Sequence, residues 1–331
     1  MPGIGMQAAF SSYPRLTMTI KVVYTGPVQA VVWLEEALGN GFELIHVEAE
    51  PGEVASGLQQ ADVFLDASMK VALTGAMIEA AKSLRLIITA TTGADHIDAA
   101  ALESRGIPLK TLRGQGEFLR NITPAAELSW LLLMTCARRL RGAIKHVEEG
   151  GWDRQQFPGM MLHGRTLGTV GCGRIGTWVS RYATAFGMRV IGYDPILKTF
   201  PETIEQASLE EVFSRSDLIA LTLTFNEETK GLIGSRELGM MKEGAVLVNT
   251  SRGAIVREAD LLEGLKAGRP AFFGTDVVEG EPEIGQSPIW QYARDHDNVV
   301  ITPHIGGFSP DALERVLRFT AQRIRSFYEM D

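Results

Sequence analysis

The sequence predicts an α/β protein built from two doubly wound parallel-sheet domains. Its 331 residues are about twice the ~150 residues typical of one domain. Short apolar runs alternate with amphipathic stretches, the pattern of βαβ units whose parallel sheet is covered on both faces. The alternation runs twice, once on each side of a long helical stretch.

In the first series, residues 20–24, 43–47, 63–65, 86–88 and 107–109 read as strands, with helical stretches such as 28–38 and 75–83 between them. The long helix follows. Thr123 stands as its N-cap, Pro124 fills the first helical position, and 125–139 continues without a breaker. Its apolar residues occupy nearly all faces, which predicts burial between layers or against a second subunit. A Gly150-Gly151 turn and a loop with Pro158 and Gly159 lead to the second series, with strands at 166–170, 189–193, 218–223, 245–248, 271–274 and 299–302. Residues 311–328 have helical periodicity and are expected to fold back onto the first domain.

The expected division is an N-terminal extension over 1–17, a discontinuous domain of 18–122 plus 304–331, and a central domain of 123–303. The extension lacks the basic start and continuous apolar stretch of a signal peptide. It is given no function, and Met18 is a candidate for the natural start.

Hydrophobic residues at 45% and charged residues at 22% describe a soluble globular chain and exclude wholesale disorder. A net charge of −8 argues against a general nucleic-acid binder, whose affinity rests on Lys and Arg neutralising phosphates. The longest uninterrupted apolar run, 130–134, is far short of the ~20 residues needed to cross a bilayer. Cys136 and Cys172, the two cysteines, sit in apolar settings without partner spacing, so neither a disulfide framework nor a metal site is expected. A reduced, cytoplasmic protein is the expectation.

Gly171-Cys172-Gly173-Arg174-Ile175-Gly176 is a G-x-G-x-x-G run that directly follows an expected strand and opens a helix. A second strand then ends at Asp194, 18 residues beyond the last glycine. That context is what a dinucleotide-binding turn requires. Gly171 permits the tight turn, Gly173 lets the backbone approach a pyrophosphate, and Gly176 allows close helix-to-strand packing. The helix N-terminus offers N–H groups and its positive dipole end to the phosphates. Asp194 would accept from both ribose hydroxyls and repel a 2′-phosphate, so NAD is favoured over NADP.

Three later strands each deliver polar groups to the carboxyl edge, where ligands bind in open parallel sheets. One leads into Asn249-Thr250-Ser251-Arg252-Gly253, the next to Asp276 with Glu281-Pro282 after it, and the last to Pro303-His304. An arginine, two carboxylates and a histidine can therefore converge beside a nicotinamide. Such a set suits hydride transfer to a carbonyl, where the developing alkoxide needs a proton and an imidazole supplies it. A neighbouring carboxylate would fix the imidazole's tautomer. Arg252 would hold a substrate carboxylate through its paired donors, a task a lysine does poorly. A 2-oxo acid/2-hydroxy acid couple follows from these roles.

The chain resembles the D-isomer-specific 2-hydroxyacid dehydrogenases. The motifs that carry the resemblance are Gly171 to Gly176, Tyr193-Asp194-Pro195, Asn249 to Gly253, Asp276 with Glu281-Pro282, and Thr302-Pro303-His304-Ile305-Gly306-Gly307. The resemblance implies a Rossmann NAD-binding domain inserted into a split, flavodoxin-like substrate domain, and a homodimer. It implies Arg252 as substrate anchor, Glu281 as the partner of the histidine, and His304 as acid/base. It further implies that Asp276 contacts the nicotinamide, and that Thr250, Ser251 and Gly306 belong to the cofactor site with Arg174 and Ile175. In the first domain, Thr92 and Gly93 in the run Thr92 to Asp98 resemble the loop whose backbone N–H groups grip the substrate carboxylate.

Against this pattern, the link 113–121 is longer than usual, and Leu223-Thr224 replaces a Leu-Pro pair. Arg113 and Arg120 read as solvated loop charges, with a phosphorylated hydroxy acid as the alternative they would serve. His46, His96, His146, His163 and His296 lack ligand-like spacing and read as surface or packing residues, with His96 closest to the expected substrate loop. The alternative function is a dinucleotide-sensing regulatory or interaction protein on the same scaffold. A formate-type enzyme is disfavoured, because that branch pairs its histidine with glutamine where Glu281 stands here.

Overall fold

The computed structural model describes residues 19–330, so the expected 1–17 extension and the start at Met18 lie outside the described residues. The chain forms two compact units. One runs to Gly114 and resumes at Glu314; the other is Gln115–Leu313.

The first unit holds β1 (Ile20–Thr25), β2 (Phe42–Val47), β3 (Val63–Asp66), β4 (Leu86–Thr89) and β5 (Leu109–Lys110). All pair in parallel in the order β2-β1-β3-β4-β5, the flavodoxin-like doubly wound order. Every residue of β3 and β4 is buried, as strands covered on both faces require. Helices Pro51–Gln60, Gly75–Ala80 and Ala99–Ser104 contribute Val54, Leu58, Ile78 and Leu102 to a core with Val23, Phe64 and Ile87. The C-terminal helix Pro310–Phe327 is anchored within this unit by Arg318–Glu36 at 2.8 Å, by Arg323 donating to the Thr111 carbonyl at 2.6 Å, and by Arg325 donating to the Leu38 carbonyl at 2.5 Å.

The second unit holds β6 (Thr166–Val170), β7 (Arg189–Tyr193), β8 (Glu205–Gln206), β9 (Leu218–Leu221), β10 (Val246–Asn249), β11 (Phe272–Thr275) and β12 (Val299–Ile301). Their order is β12-β11-β10-β9-β6-β7-β8, all parallel. This is the Rossmann order extended by one strand, and its direction of winding reverses beside β6. Helix Pro124–Ala137 lies on β10 and β11, close enough that a Cβ at Gly274 would stand 3.2 Å from Cys136 Sγ. The helix Leu209–Arg215 starts in a reciprocal capping box, Ser208 with Glu211, a device worth roughly 1 kcal/mol. Among the described residues, no helix is long and apolar enough to cross a membrane.

Several expectations are corrected. The fifth strand begins at Leu109 rather than 107, because Ile107 donates its N–H to Leu102 and Pro108 has none to give. The long helix ends at Ala137, and Arg139, at φ +49°, turns the chain into a second helix, Leu140–Glu148. Thr123 does hold the N-cap position ahead of Pro124, but its hydroxyl donates to Glu127 at 2.6 Å rather than capping a backbone N–H. Leu131 on that helix is exposed, so burial does not extend to every face.

The two compact units change over at Gly114–Gln115 and Leu313–Glu314, each within about ten residues of the expected 122/123 and 303/304 boundaries. Hydrogen bonds explain the offset. Trp178 Nε1 donates to the Arg120 carbonyl at 2.9 Å and Arg174 to that of Ile122, tying the link to the helix after the glycine turn. Ile305 and Gly306 are tied to Asp276 of the same unit.

Candidate active site

At the turn leaving β6, Gly171 takes φ +96°, a conformation that favours glycine. A Cβ there would stand 2.7 Å from the Thr222–Leu223 peptide. Its carbonyl accepts from Thr222 Oγ1 at 2.6 Å and Thr169 Oγ1 at 3.0 Å. A Cβ at Gly176 would lie 2.1 Å from that same carbonyl, so helix Arg174–Ala185 can approach the strand only without a side chain there. At Gly173 a Cβ would meet nothing within 4 Å. The turn is therefore open where helix N–H groups lack intrahelical acceptors, and it fits a dinucleotide's pyrophosphate. Ile175 packs on the core beneath. The Arg174 guanidinium donates to Ile122, and burial lowers its pKa, so its charge is committed within the unit.

Asp194 clamps this turn. Its Oδ2 accepts the Cys172 N–H at 2.9 Å, and its Oδ1 accepts those of Ile196 and Leu197 at 2.9 and 3.1 Å. A carboxylate has roughly four lone-pair positions, which leaves room for one further donor. Burial, with the Asp194 charge adding to it, pushes the Cys172 thiol up to about 12, so it is no nucleophile at neutral pH.

After β10, the Asn249 side chain folds the loop on itself. It accepts the Ser251 N–H at 3.0 Å and donates to the Arg252 carbonyl at 2.8 Å. The Ser251 hydroxyl donates to the Leu221 carbonyl at 3.0 Å. Ser129 gives its proton to the Ala125 carbonyl, so Thr250 is the donor in the 2.6 Å contact between the two hydroxyls. Arg252 Nη1 donates to the Ser251 carbonyl at 2.8 Å. A Cβ on Gly253 would lie 2.3 Å from the Glu279 nitrogen. The arginine's loop thus runs backbone-to-backbone against the loop after β11, a contact sequence reasoning missed; the glycine after Arg252 was its signal.

Asp276, 2% exposed, is more heavily engaged than expected. Its Oδ1 accepts from Thr302 Oγ1 at 2.5 Å and the Ile305 N–H at 2.9 Å, and its Oδ2 accepts the Gly306 N–H at 2.7 Å. These bonds tie together the chain on both sides of His304. That loop needs restraint. His304 has φ +53°, a region non-glycine residues seldom occupy and which costs roughly 1–2 kcal/mol. Its Nδ1 lies 2.8 Å from Glu281 Oε1. A carboxylate only accepts, so the proton in that bond sits on Nδ1 and Nε2 is the nitrogen left for exchange. The His304 and Glu281 side chains are 37% and 30% exposed.

Thr92 and Gly93 belong to the first unit, on the loop after β4. His96, read from sequence as a surface or packing residue, is instead paired with buried Asp66 at 2.6 Å. Arg113 and Arg120 are exposed.

A Rossmann sheet with this turn at its reversal point, and an imidazole held by a carboxylate on the same edge, defines the class: an NAD-dependent oxidoreductase. The chain belongs to the D-isomer specific 2-hydroxyacid dehydrogenase family, whose NAD-binding domain profile matches residues 130–306. It is 35% identical to a hydroxypyruvate reductase of Thermotoga maritima over 83% of this chain and 87% of that one. It is 38% identical to a glyoxylate reductase of Korarchaeum cryptofilum over 76% and 75% of the two chains. The chain spans about half the length of the D-3-phosphoglycerate dehydrogenases it also matches. A solved structure of D-lactate dehydrogenase from Aquifex aeolicus, complexed with NAD and lactic acid, superposes with a TM-score of 0.80 at 27% identity, covering 93% of this chain and 95% of that one.

Proposed function

We propose that the enzyme reduces a small 2-oxo acid of the glyoxylate or hydroxypyruvate kind to its 2-hydroxy acid, the D isomer where the product is chiral, and catalyses the reverse reaction. The substrate size follows the two reductases, which this chain matches over three quarters or more of its length. The observation that carries the reading is the 2.8 Å bond from Glu281 to His304 Nδ1, which turns Nε2 into the exchanging atom. The bound dinucleotide supplies the hydride.

His304 Nε2 gives its proton to the carbonyl oxygen as the alkoxide develops, and takes it back in oxidation. Glu281 holds the ring in one tautomer and balances the imidazolium charge. Arg252 grips the substrate carboxylate through paired N–H donors, joined by the backbone N–H groups of Thr92 and Gly93. Asp276, acting through Ile305 and Gly306, keeps His304 in its strained conformation. The backbone N–H groups of Gly173, Arg174 and Ile175 meet the pyrophosphate, on a turn that Gly171 shapes and Gly176 lets pack against the strand. The remaining lone pair of Asp194 takes a ribose hydroxyl and repels a 2′-phosphate, and Thr250 and Ser251 line the same site. The first unit is the substrate domain and the second the NAD-binding domain.

A cytoplasmic setting belongs to the same proposal, supported by two free, buried cysteines. So does a homodimer. Leu140, Ile144 and Val147 follow one face of helix Leu140–Glu148 and are exposed, beside Trp152 at 91% exposure. Light scattering is expected to give twice the 36.1-kDa chain mass, and Ile144→Glu to lower it; a monomeric native protein would remove the dimer. The catalytic reading is tested by NADH oxidation across a panel of 2-oxo acids, phosphorylated ones included. Turnover of glyoxylate or hydroxypyruvate is expected. Turnover of phosphorylated acids alone would overturn the substrate class, and none with any acid would overturn the reading.

A further inference from the structure

The first unit carries its own carboxylate–imidazole pair at the carboxyl edge of its sheet. Asp66 ends β3 with its side chain 3% exposed, and His96 Nε2 lies 2.6 Å from its Oδ2 with the ring 13% exposed. Asp66 Oδ1 accepts the Ser68 N–H at 2.8 Å, the Ser68 hydroxyl at 2.9 Å and the Met69 N–H at 3.2 Å. One buried carboxylate thus joins the loop after β3 to the loop after β4. Because it only accepts, the shared proton resides on His96 Nε2. Backbone bonds double the join: the His96 carbonyl accepts the Leu73 N–H at 2.8 Å, and the Leu73 carbonyl accepts that of Asp98 at 3.0 Å.

The other end of the same loop is fixed too. Ala90 donates to the Asp66 carbonyl and Leu112 to the Thr91 carbonyl, each at 2.8 Å, while Thr91 Oγ1 donates to the Gly93 carbonyl at 2.7 Å. Between these anchors, the N–H groups of Thr92, Gly93 and Ala94 meet no acceptor among the described residues. A fixed run of successive unpaired N–H groups is a seat for an anion.

We propose that Asp66 and His96 are positioning residues, holding the 92–94 run in the shape that grips the substrate carboxylate. This rests on the reading above that gives Thr92 and Gly93 that task. The pair acts by ordering the seat before substrate arrives, so its loss falls on binding rather than on chemistry.

The test uses the full chain, with glyoxylate as substrate and oxamate binding to the NADH complex as a second readout. His96→Leu removes the donor and leaves Asp66 Oδ2 unpaired; His96→Gln returns an amide N–H to the place of Nε2. His96→Leu is expected to raise KM and weaken oxamate binding about tenfold with kcat within about twofold, and His96→Gln to restore both. Should His96→Leu fail to fold, Asp66→Asn carries the test, since its amide opposes a donor to His96, and the same rise in KM is expected. An unchanged KM in the folded variant, a loss confined to kcat, or no rescue by glutamine overturns the proposal. Gly93→Pro removes one N–H of the run. A raised KM there with none in His96→Leu leaves the loop reading standing and refutes the pair; no change in Gly93→Pro refutes the loop reading itself, and the proposal with it.

Discussion

Each of the two sheets carries one imidazole held by one carboxylate at its carboxyl edge, and the two bonds are nearly alike: 2.6 Å for Asp66–His96 and 2.8 Å for Glu281–His304. Their surroundings differ. In the first pair the side chains are 3% and 13% exposed, in the second 30% and 37%. Asp66 shares its charge among three further donors from its own loop. His304 sits at φ +53° on a loop restrained by a different carboxylate, Asp276. On the roles proposed for the two pairs, a short carboxylate–imidazole bond does not by itself mark a proton-transfer group. A ring with an accessible second nitrogen can exchange a proton with a substrate; a ring whose second nitrogen is buried, as His96 Nδ1 is, can only hold loops together.

Substitutions can break or sharpen this contrast. The largest effect is expected at His304. His304→Gln keeps a polar group near Nε2 but nothing that transfers a proton at neutral pH, so kcat is expected to fall about a thousandfold. Steady-state reduction of glyoxylate, with NADH binding followed by fluorescence as the control, checks this. At Glu281, glutamine can still accept from Nδ1 but carries no charge, and kcat/KM is expected to fall roughly tenfold to a hundredfold. An unchanged kcat/KM there would mean the carboxylate only orients the ring. A smaller loss is expected for Asp276→Asn. The new amide turns a donor toward the N–H of Gly306 or Ile305, at roughly 1–3 kcal/mol, which loosens the His304 loop and lowers kcat about tenfold. Equal NADH affinity in that variant would agree with the hydrogen bonds seen; a large loss of NADH affinity would return Asp276 to the nicotinamide. The His96 series is the mildest, and it moves KM.

Much of the fold was legible because the strands of parallel sheets are apolar runs buried on both faces, as at β4, β9 and β10. β8 gave no signal, being two exposed polar residues, Glu205 and Gln206. The break after Ala137 was also silent, since the left-handed position is taken by an arginine, Arg139, rather than by glycine. At the site, Gly171, Gly173 and Gly176 were readable because glycine's one property, the missing Cβ, is what each position uses. The engagements of Asp276 and Asp66 were not. The partners that tie them to a second loop lie 26 to 30 residues away in sequence, a separation that carries no periodicity, and only folding brings Gly306 or His96 to them. Glu281 was picked as the partner of His304 by family resemblance, for a separation of 23 positions says nothing alone.

The account turns on the claim that the exposed pair acts and the buried pair holds. The same substitution at both rings, His304→Gln and His96→Gln, compared for kcat and KM in one assay, tests it most directly. The expected result is a kcat lower by about a thousandfold at His304 beside near-native constants at His96. Comparable kcat losses at the two positions, or a collapse at His96 with His304→Gln still turning over, would contradict it.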